Sequence, residues 1–452
     1  MKDLMERLRA AGVHTLLAQF TDMHGVAKGK WLPLAHLDDL LSDGVAFSGA
    51  SIAGTGLPRT GPRSQYIARG YASTVTALPW LPGVARVVCD GFVNDQPFDA
   101  CPRQVLKRAL ARLADRGWHL RTGIEPEFFL LRRDGDRWRV ADTEDRLEQP
   151  AYDLKSLSRQ HDFLQALAGA LGAAGIDVSQ IDHGEGRGQY EVNFGFDEAL
   201  VSADHLMLFK QAAHALAEQR DMVFSLMPKP FDDQPGSGMH LHASLWSGWN
   251  AKRRDNAQCL FVAHRADGSV DRERNLAPLG EHFVAGVLAH SAALTALAAP
   301  TVDSYKRLGA SPCISGNSWA PALVTHGPNN RTAAIRTLHG RFEWRVPDAS
   351  ANPYLVSAAL VAAGLDGIDR KLELPGECTE DLDQLSATRI AERGLVGLPK
   401  SLNEALDALA ADEVIRVALG DSLSHEFIRL KRAECAAGSG AGDHGNDPER
   451  TL

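Results

Sequence analysis

Four short segments place ligand-type side chains two residues apart, which puts them on one face of a strand because successive side chains alternate. In Gly123-Ile124-Glu125-Pro126-Glu127-Phe128-Phe129-Leu130 the carboxylates of Glu125 and Glu127 share a face, with Ile124, Phe128 and Leu130 on the other. Gln189, Glu191 and Asn193 alternate in the same way with Tyr190, Val192 and Phe194. His240, His242 and Ser244 form a third set, and Arg341, Glu343 and Arg345 a fourth. Any one of these patterns is also what an antiparallel sheet wetted on one face displays. Their joint content is different: Glu, His and Arg stand where a solvated sheet carries Lys, Thr and Ser. If the segments converge, Glu125, Glu127, Glu191, Glu343 and His240 make an oxygen-rich, thiol-free donor set of the sort that holds Mg²⁺ or Mn²⁺. No Cys pair or three-His arrangement points to zinc. Arg307, Arg331, Arg336, Arg341 and Arg345 lie in one C-terminal stretch, and guanidinium forks match carboxylate and phosphate oxygens. A surface ion pair accounts for any single arginine. Carboxylates, histidine and the arginine cluster together point to nucleotide phosphate held on divalent metal.

Elements must carry these residues, and the chain is long enough to supply them. Its 452 residues imply two domains. With 44% apolar and 23% charged residues it reads as a globular chain, and no apolar run approaches the roughly 18 residues that span a bilayer. The 48 basic and 57 acidic residues leave a net charge of -9, which argues against a nucleic-acid footprint spread over the surface. Six scattered cysteines without a Cys-x-x-Cys pair, and a start lacking an apolar signal core, read as a reduced, cytoplasmic protein.

Residues 1–97 read as a small α+β domain, with strands at 15–20 and 86–89, a short helix at 37–41, and a long Gly/Pro/Ser-rich surface loop over 49–70. Pro102 in first-turn position opens an amphipathic helix, so the boundary falls near 97/98. A larger α+β body, 98–435, follows, with helices expected over 162–174, 203–221, 280–298 and 353–370. The Gly-rich tail 436–452 has almost nothing apolar to bury and reads as disordered. No repeats and no Walker A loop are present.

Taken together these motifs resemble the glutamine synthetase family from about Phe20 to Lys431: Glu125-Pro126-Glu127-Phe128, Gly188-Gln189-Tyr190-Glu191, Gly236-Ser237-Gly238-Met239-His240-Leu241-His242, Asp303-Ser304-Tyr305-Lys306-Arg307-Leu308, Asn329-Asn330-Arg331-Thr332 and Ala351-Asn352-Pro353-Tyr354-Leu355. Asp22-Met23-His24-Gly25, Trp80-Leu81-Pro82-Gly83, Cys89-Asp90-Gly91 and Ser315-Gly316-Asn317-Ser318-Trp319-Ala320-Pro321 are similar to the branch holding the γ-glutamylmethylamide synthetases and type III enzymes. The resemblance implies an N-terminal β-grasp domain and a catalytic domain with a curved antiparallel sheet flanked by helices. It also implies a homo-oligomeric ring, because active sites form between subunits. By motif, Glu127 and Glu191 would hold the metal nearer glutamate, and Glu125, His240 and Glu343 the metal among the ATP phosphates. His242, Ser244, Arg336 and Arg341 would face ATP. Arg307 and Arg345 would bind the glutamate carboxylates, with Gly236 near the amino group. Arg331 would stabilise the transferring phosphoryl group and, with Arg307, make up the catalytic pair.

Departures from the family cluster at the amine end. Ser48 stands where glutamine synthetases carry the aspartate that deprotonates ammonium on a neighbouring subunit. Gly184 replaces a glutamate shared by the first metal and the ammonium pocket. Glu185 is next door; a one-residue slip turns it to the wrong face unless Gly184 and Gly186 distort the strand. The acid of the closing loop corresponds to the neighbourhood of Trp319, and Tyr152 aligns with a tyrosine of the ammonium pocket. A less negative cage favours an organic amine over ammonium. The expected function is therefore ATP-dependent formation of a γ-glutamyl amide from glutamate and an organic amine. The alternatives are ordinary glutamine synthesis, or a non-catalytic glutamate or nucleotide sensor. No tyrosine falls near 381–383 for adenylylation, and the Gly-rich tail replaces the family's C-terminal helical extension. A hexamer or a weaker dodecamer is expected.

Overall fold

The apolar run at 15–20 becomes β1 (Thr15–Thr21) in the computed structural model, which describes residues 2–248, 257–308 and 318–438. With β2 (Ala27–Pro33), β3 (Val45–Ser48), β4 (Gln65–Gly70) and β5 (Val84–Val93) it builds a first sheet in the order β2-β1-β5-β4-β3. β1 and β5 run parallel at its centre and the other pairs on this path are antiparallel. Central placement explains why nine of the ten β5 residues are buried rather than every second one. The short helix Leu37–Ser42 buries Leu37 and Leu40 against this sheet, giving the β-grasp arrangement. The loop expected over 49–70 is shorter than anticipated, because its last six residues form β4. There Tyr66, Ala68 and Gly70 face the core, a period too poor in apolar residues to stand out beside glycine and arginine.

The second sheet contains β6 (Trp118–Asp134), β7 (Val178–His183), β8 (Gln189–Phe194), β9 (Met239–Ser247), β10 (His326–Pro328), β11 (Ile335–Leu338) and β12 (Arg341–Trp344), in the order β7-β8-β6-β9-β12-β11-β10. The 17-residue β6 is its spine, antiparallel to β8 on one side and β9 on the other. One face rests on helices His161–Ala173 and Ala199–Glu218 through Phe128, Phe163, Phe209 and Phe224, with ring centroids 5.0–6.3 Å apart. Burying such rings stabilises the sheet by about 1.5–3 kcal/mol each. The other face is left to the polar side chains. The overall class is α+β, as the sequence predicts.

Helix boundaries hold at Pro102–Ala114 and Pro353–Arg370, where proline sits in the first turn. Asn352 caps the second of these by accepting from the N–H groups of Tyr354 and Leu355. The helix expected from 203 starts earlier, at Ala199. The single helix expected over 280–298 is two, Pro278–Ala289 and Ser291–Ala298, bent by 76°. At the bend His290 bonds Asp412 at 2.6 Å and Asp366 at 3.1 Å. The last helix runs Asp421–Gly438, past the expected tail boundary at 436; the remainder of that tail, Cys313 and 315–317 lie outside the described residues. No single helix among the described residues is long and apolar enough to cross a membrane. The bent pair that passes on length and composition is largely packed in the core.

His290 carries a pH signature. Burial opposes its protonation, but Asp412 and Asp366 outweigh burial and raise its pKa. A raised folded pKa means the contribution is complete below the unfolded value, about 6.5, and is lost as pH rises through the folded one. Stability should therefore fall as pH rises above about 6.5, and His290→Gln should flatten that part of a denaturation-versus-pH curve. An unchanged slope in the variant would refute the assignment.

Candidate active site

Sheet register brings the four polar faces together. Asp182 on β7 lies opposite Glu191 on β8, and Glu191 opposite Glu127 on β6. One row along, Glu125 pairs with His240; in the next, Gly123 pairs with His242, His242 with Glu343 and Glu343 with Arg336. A one-residue slip would bury these charges and expose Ile124 and Phe128, so the hydrophobic face holds the register. The polar face floors a cavity of about 430 Å³, lined also by Gly184, Glu185, Gly236, Arg307, Trp319 and Arg331.

Two tight groups stand out. Ligand atoms of Glu127, Glu191 and His240 lie within 4.8 Å of one another, as do those of Glu125, His242 and Glu343. The expected set of Glu125, His240 and Glu343 is close together as well. His240 stands between the groups, its Nδ1 4.0 Å from Glu125 Oε2 and 3.5 Å from Glu343 Oε1. His242 Nε2 is 3.1 Å from Glu125 Oε1. Burial, reinforced by Glu127 and Glu125, pushes the Glu191 carboxyl well up. Burial likewise raises Glu127, although it accepts a 2.6 Å bond from the Gly238 N–H. Burial and Arg345 push His240 down. Glu343 goes the other way: burial opposes its ionisation, but Arg345, the two histidines and Arg336 hold it well below the usual carboxylate range.

This donor set fits a divalent cation. The Glu127–Glu191 pair is a half-buried like-charge pair that a cation would relieve, and the donors are carboxylate oxygen and imidazole nitrogen. Two buried polar atoms of the lining, Asn193 Oδ1 and Arg345 Nε, have no hydrogen-bond partner among the described residues, as expected of groups awaiting a ligand.

The remaining expected residues are distributed as follows. Arg307, buried, donates to the carbonyls of Val346 and Arg345 at 2.9 and 3.1 Å, which holds it under Gly236 and Gly238. Arg345 pairs with Glu343 Oε1, and Arg336 donates to Glu343 Oε2 at 2.8 Å. Arg331 is exposed on the cavity lining. Arg341 is exposed and reaches His242 Nδ1 at 3.3 Å; Ser244 is buried and accepts from the Trp246 indole at 2.9 Å, and neither lines the cavity. Tyr152 lines it while 74% exposed, with a left-handed backbone (φ 62°). Ser48 is exposed on the first sheet and does not line this chain's cavity.

Glu185 belongs to neither ligand group. Its Oε1 accepts a 3.0 Å bond from the Trp319 indole, which ties the loop residue to the strand end. Nor does Gly184 have room for a side chain: a Cβ there would lie 2.9 Å from Gln189 Cγ and Oε1. Gln189 is itself held, donating to Gly236 O at 3.0 Å and accepting from the Gly186 N–H at 2.8 Å. Sequence reasoning missed Asp145, which accepts from His183 Nε2 at 2.8 Å and the Gly188 N–H at 2.6 Å and so anchors both ends of this turn. No local signal marks it, since it lies 38 residues from His183. It also missed Gln180 and Asp182, although their alternation in 178–183 was the same signal read elsewhere.

Two carboxylate–histidine groups beside an arginine cluster, on one face of an antiparallel sheet, define a site for divalent metal and anionic oxygen. A family model described as "Glutamine synthetase, catalytic domain" matches residues 99–441. Glutamate–methylamine ligase of Methyloversatilis universalis is 43% identical over 94% of this chain and 93% of its own length. Glutamine synthetase of Rhizobium meliloti is 36% identical over 96% and 95%. A solved GmaS/ADP complex superimposes with a TM-score of 0.88 at 34% identity, covering 98% of each chain. Apo GmaS gives 0.86 at 33% identity over 99% and 98%. The chain belongs to the glutamine synthetase family.

Proposed function

We propose that this protein is an ATP-dependent carboxylate–amine ligase that joins glutamate to an organic amine as a γ-glutamyl amide. The observation that carries the reading is one cavity lined by guanidinium groups toward β11 and β12, by Glu125, Glu127, Glu191, His240 and Glu343 in the middle, and by Tyr152 and Glu185 toward β7, with Trp319 bonded to both Glu185 and Arg345. The glutamate–methylamine ligase relative supports the amine over ammonium.

A carboxylate is a poor electrophile, so the γ-carboxylate must first take a phosphoryl group from ATP. Arg307 and Arg345 would hold the glutamate carboxylates, and Arg331 and Arg336 would neutralise charge on the phosphoryl oxygens. Mg²⁺ or Mn²⁺ held by Glu127 and Glu191, and by Glu125, His240 and Glu343, would supply further neutralisation of phosphate charge, with His242 toward the phosphates. The amine then attacks the acyl phosphate and phosphate leaves. Residues 1–97 and 98–435 are taken as the N-terminal and catalytic domains, with 436–452 as the tail. A ring assembly, hexamer or dodecamer, would bring Ser48 of one subunit to the cavity of the next; its exposed position supports this. The five described cysteines are all free, in keeping with a cytoplasmic location.

The test is phosphate release with ATP, glutamate and Mg²⁺ or Mn²⁺ across ammonium, methylamine, longer alkylamines and anilines, with mass detection of the product. Faster γ-glutamyl amide formation from an organic amine than from ammonium is expected. A preference for ammonium would return the protein to glutamine synthesis.

A further inference from the structure

Along the second sheet the lining of the cavity changes sign. Arg336 on β11 and Arg345 just after β12 stand at one side, Glu125, Glu127, Glu191 and His240 in the middle, and Asp182 on the edge strand β7 at the other. Asp182 continues the row Glu127–Glu191 by one strand, yet it belongs to neither tight group. Its one hydrogen bond among the described residues comes from the neutral amide of Gln180, at 2.8 Å to Oδ2, and no lysine, arginine or histidine among them pairs with it. A half-buried carboxylate so placed lacks a counter-charge. A second, independent feature sits beside it. Asn193 is 7% exposed, lines the same cavity opposite Gln180, and its Oδ1 accepts nothing from the described residues. A carboxylate with one neutral donor and an amide oxygen with none among the described residues, in a cavity lined also by Tyr152 and Trp319, match a small cation with N–H groups and an apolar substituent.

We infer that Asp182 is the specificity-determining residue that binds the cationic head of an alkylammonium substrate, its alkyl group lying toward Tyr152 and Trp319. The inference rests on the ligase reading and adds the residue that takes over recognition of positive charge at an end where Ser48, Gly184 and Trp319 carry none. Glu185, which likewise takes one neutral donor, the Trp319 indole, is the control: a charge-selective KM rise in Glu185→Gln with none in Asp182→Asn would overturn the inference.

The test is Asp182→Asn, which keeps shape and removes charge. Methylamine and ethylamine are cations at neutral pH; hydroxylamine and 2,2,2-trifluoroethylamine are largely uncharged. The variant should raise KM for the cationic amines about ten- to a hundredfold, the cost of losing one charge-assisted bond, with kcat within about threefold. KM for the uncharged amines should stay put, and Asp182→Glu should recover part of the loss. An equal rise for all four amines, or none, would overturn the inference. Calorimetric titration of methylammonium into enzyme holding glutamate and a non-hydrolysable ATP analogue separates this from the ligase reading. If wild type makes no amide, the ligase reading fails, and weaker methylammonium binding by Asp182→Asn alone still decides the role of Asp182. Unchanged affinity for glutamate and the ATP analogue shows that the variant is folded; if it is not, Asp182→Ser takes its place with the same expectations.

Discussion

Glu343→Ala is expected to lower kcat for amide synthesis by at least about a hundredfold and stability by about 3–5 kcal/mol, making it the most damaging single change in the cavity. Glu343 is 1% exposed and receives Arg336 on one oxygen and Arg345 on the other, with His240 Nδ1 3.5 Å away. Removing it leaves two guanidinium groups facing each other without a counter-ion in a poorly solvated place, and it also strips one member from the Glu125–His242–Glu343 group. Glu343→Gln separates the effects, because the amide preserves volume and one hydrogen bond but no charge. Denaturant unfolding should show most of the stability loss in both variants, and product formation should be lost in both. Since neighbouring cations depress its pKa, the contribution of Glu343 is present above the unfolded value near 4.3 and fades only as pH falls through the depressed folded value. An alanine variant within about 1 kcal/mol of wild type would show that solvent reaches the guanidiniums and that the burial argument is wrong.

Arg103→Ala should cost about 3–5 kcal/mol without touching the cavity. Arg103 begins the first helix after the N-terminal sheet, and its three guanidinium nitrogens are all used. Nε and Nη2 fork onto Asp204 at 2.9 Å each, and Nη1 reaches Asp90 on β5 at 2.7 Å. Asp204 also accepts from the Tyr354 hydroxyl at 2.7 Å, and Asp90 from Lys107 and Tyr71 at 2.7 Å. One arginine therefore joins the first sheet to helices Ala199–Glu218 and Pro353–Arg370. The alanine variant leaves Asp204 without its ion-pair partner and Asp90 with Lys107 alone, whereas Arg103→Met keeps the aliphatic packing and isolates the charge term. Chemical denaturation should show a large loss in both. A loss confined to alanine would mean packing, and not the ion network, holds the two parts together.

Much of the site was legible because strands impose a period of two. Once Glu125 and Glu127 alternate with Ile124 and Phe128, burial of the apolar face sends both carboxylates to the cavity, and the same reasoning held for Glu191, His240 and Glu343. Where periodicity is weak, reading failed: β4 vanished into a glycine-rich loop, and the helix break at His290 left no mark in an apolar run.

The sequence by itself determined the class of fold, the chemistry of the donor set and the family motifs, since these depend on residue type and on spacing within single elements. Only the tertiary structure decided that His240 stands between the two carboxylate groups, that Glu185 turns to Trp319, that Gln189 fills the space beside Gly184, and that Asp182 at the far edge meets only a neutral amide. The reason is physical. Those outcomes depend on cross-strand register and on contacts between residues up to 134 positions apart, and nothing in the spacing within one strand encodes the neighbour it will meet.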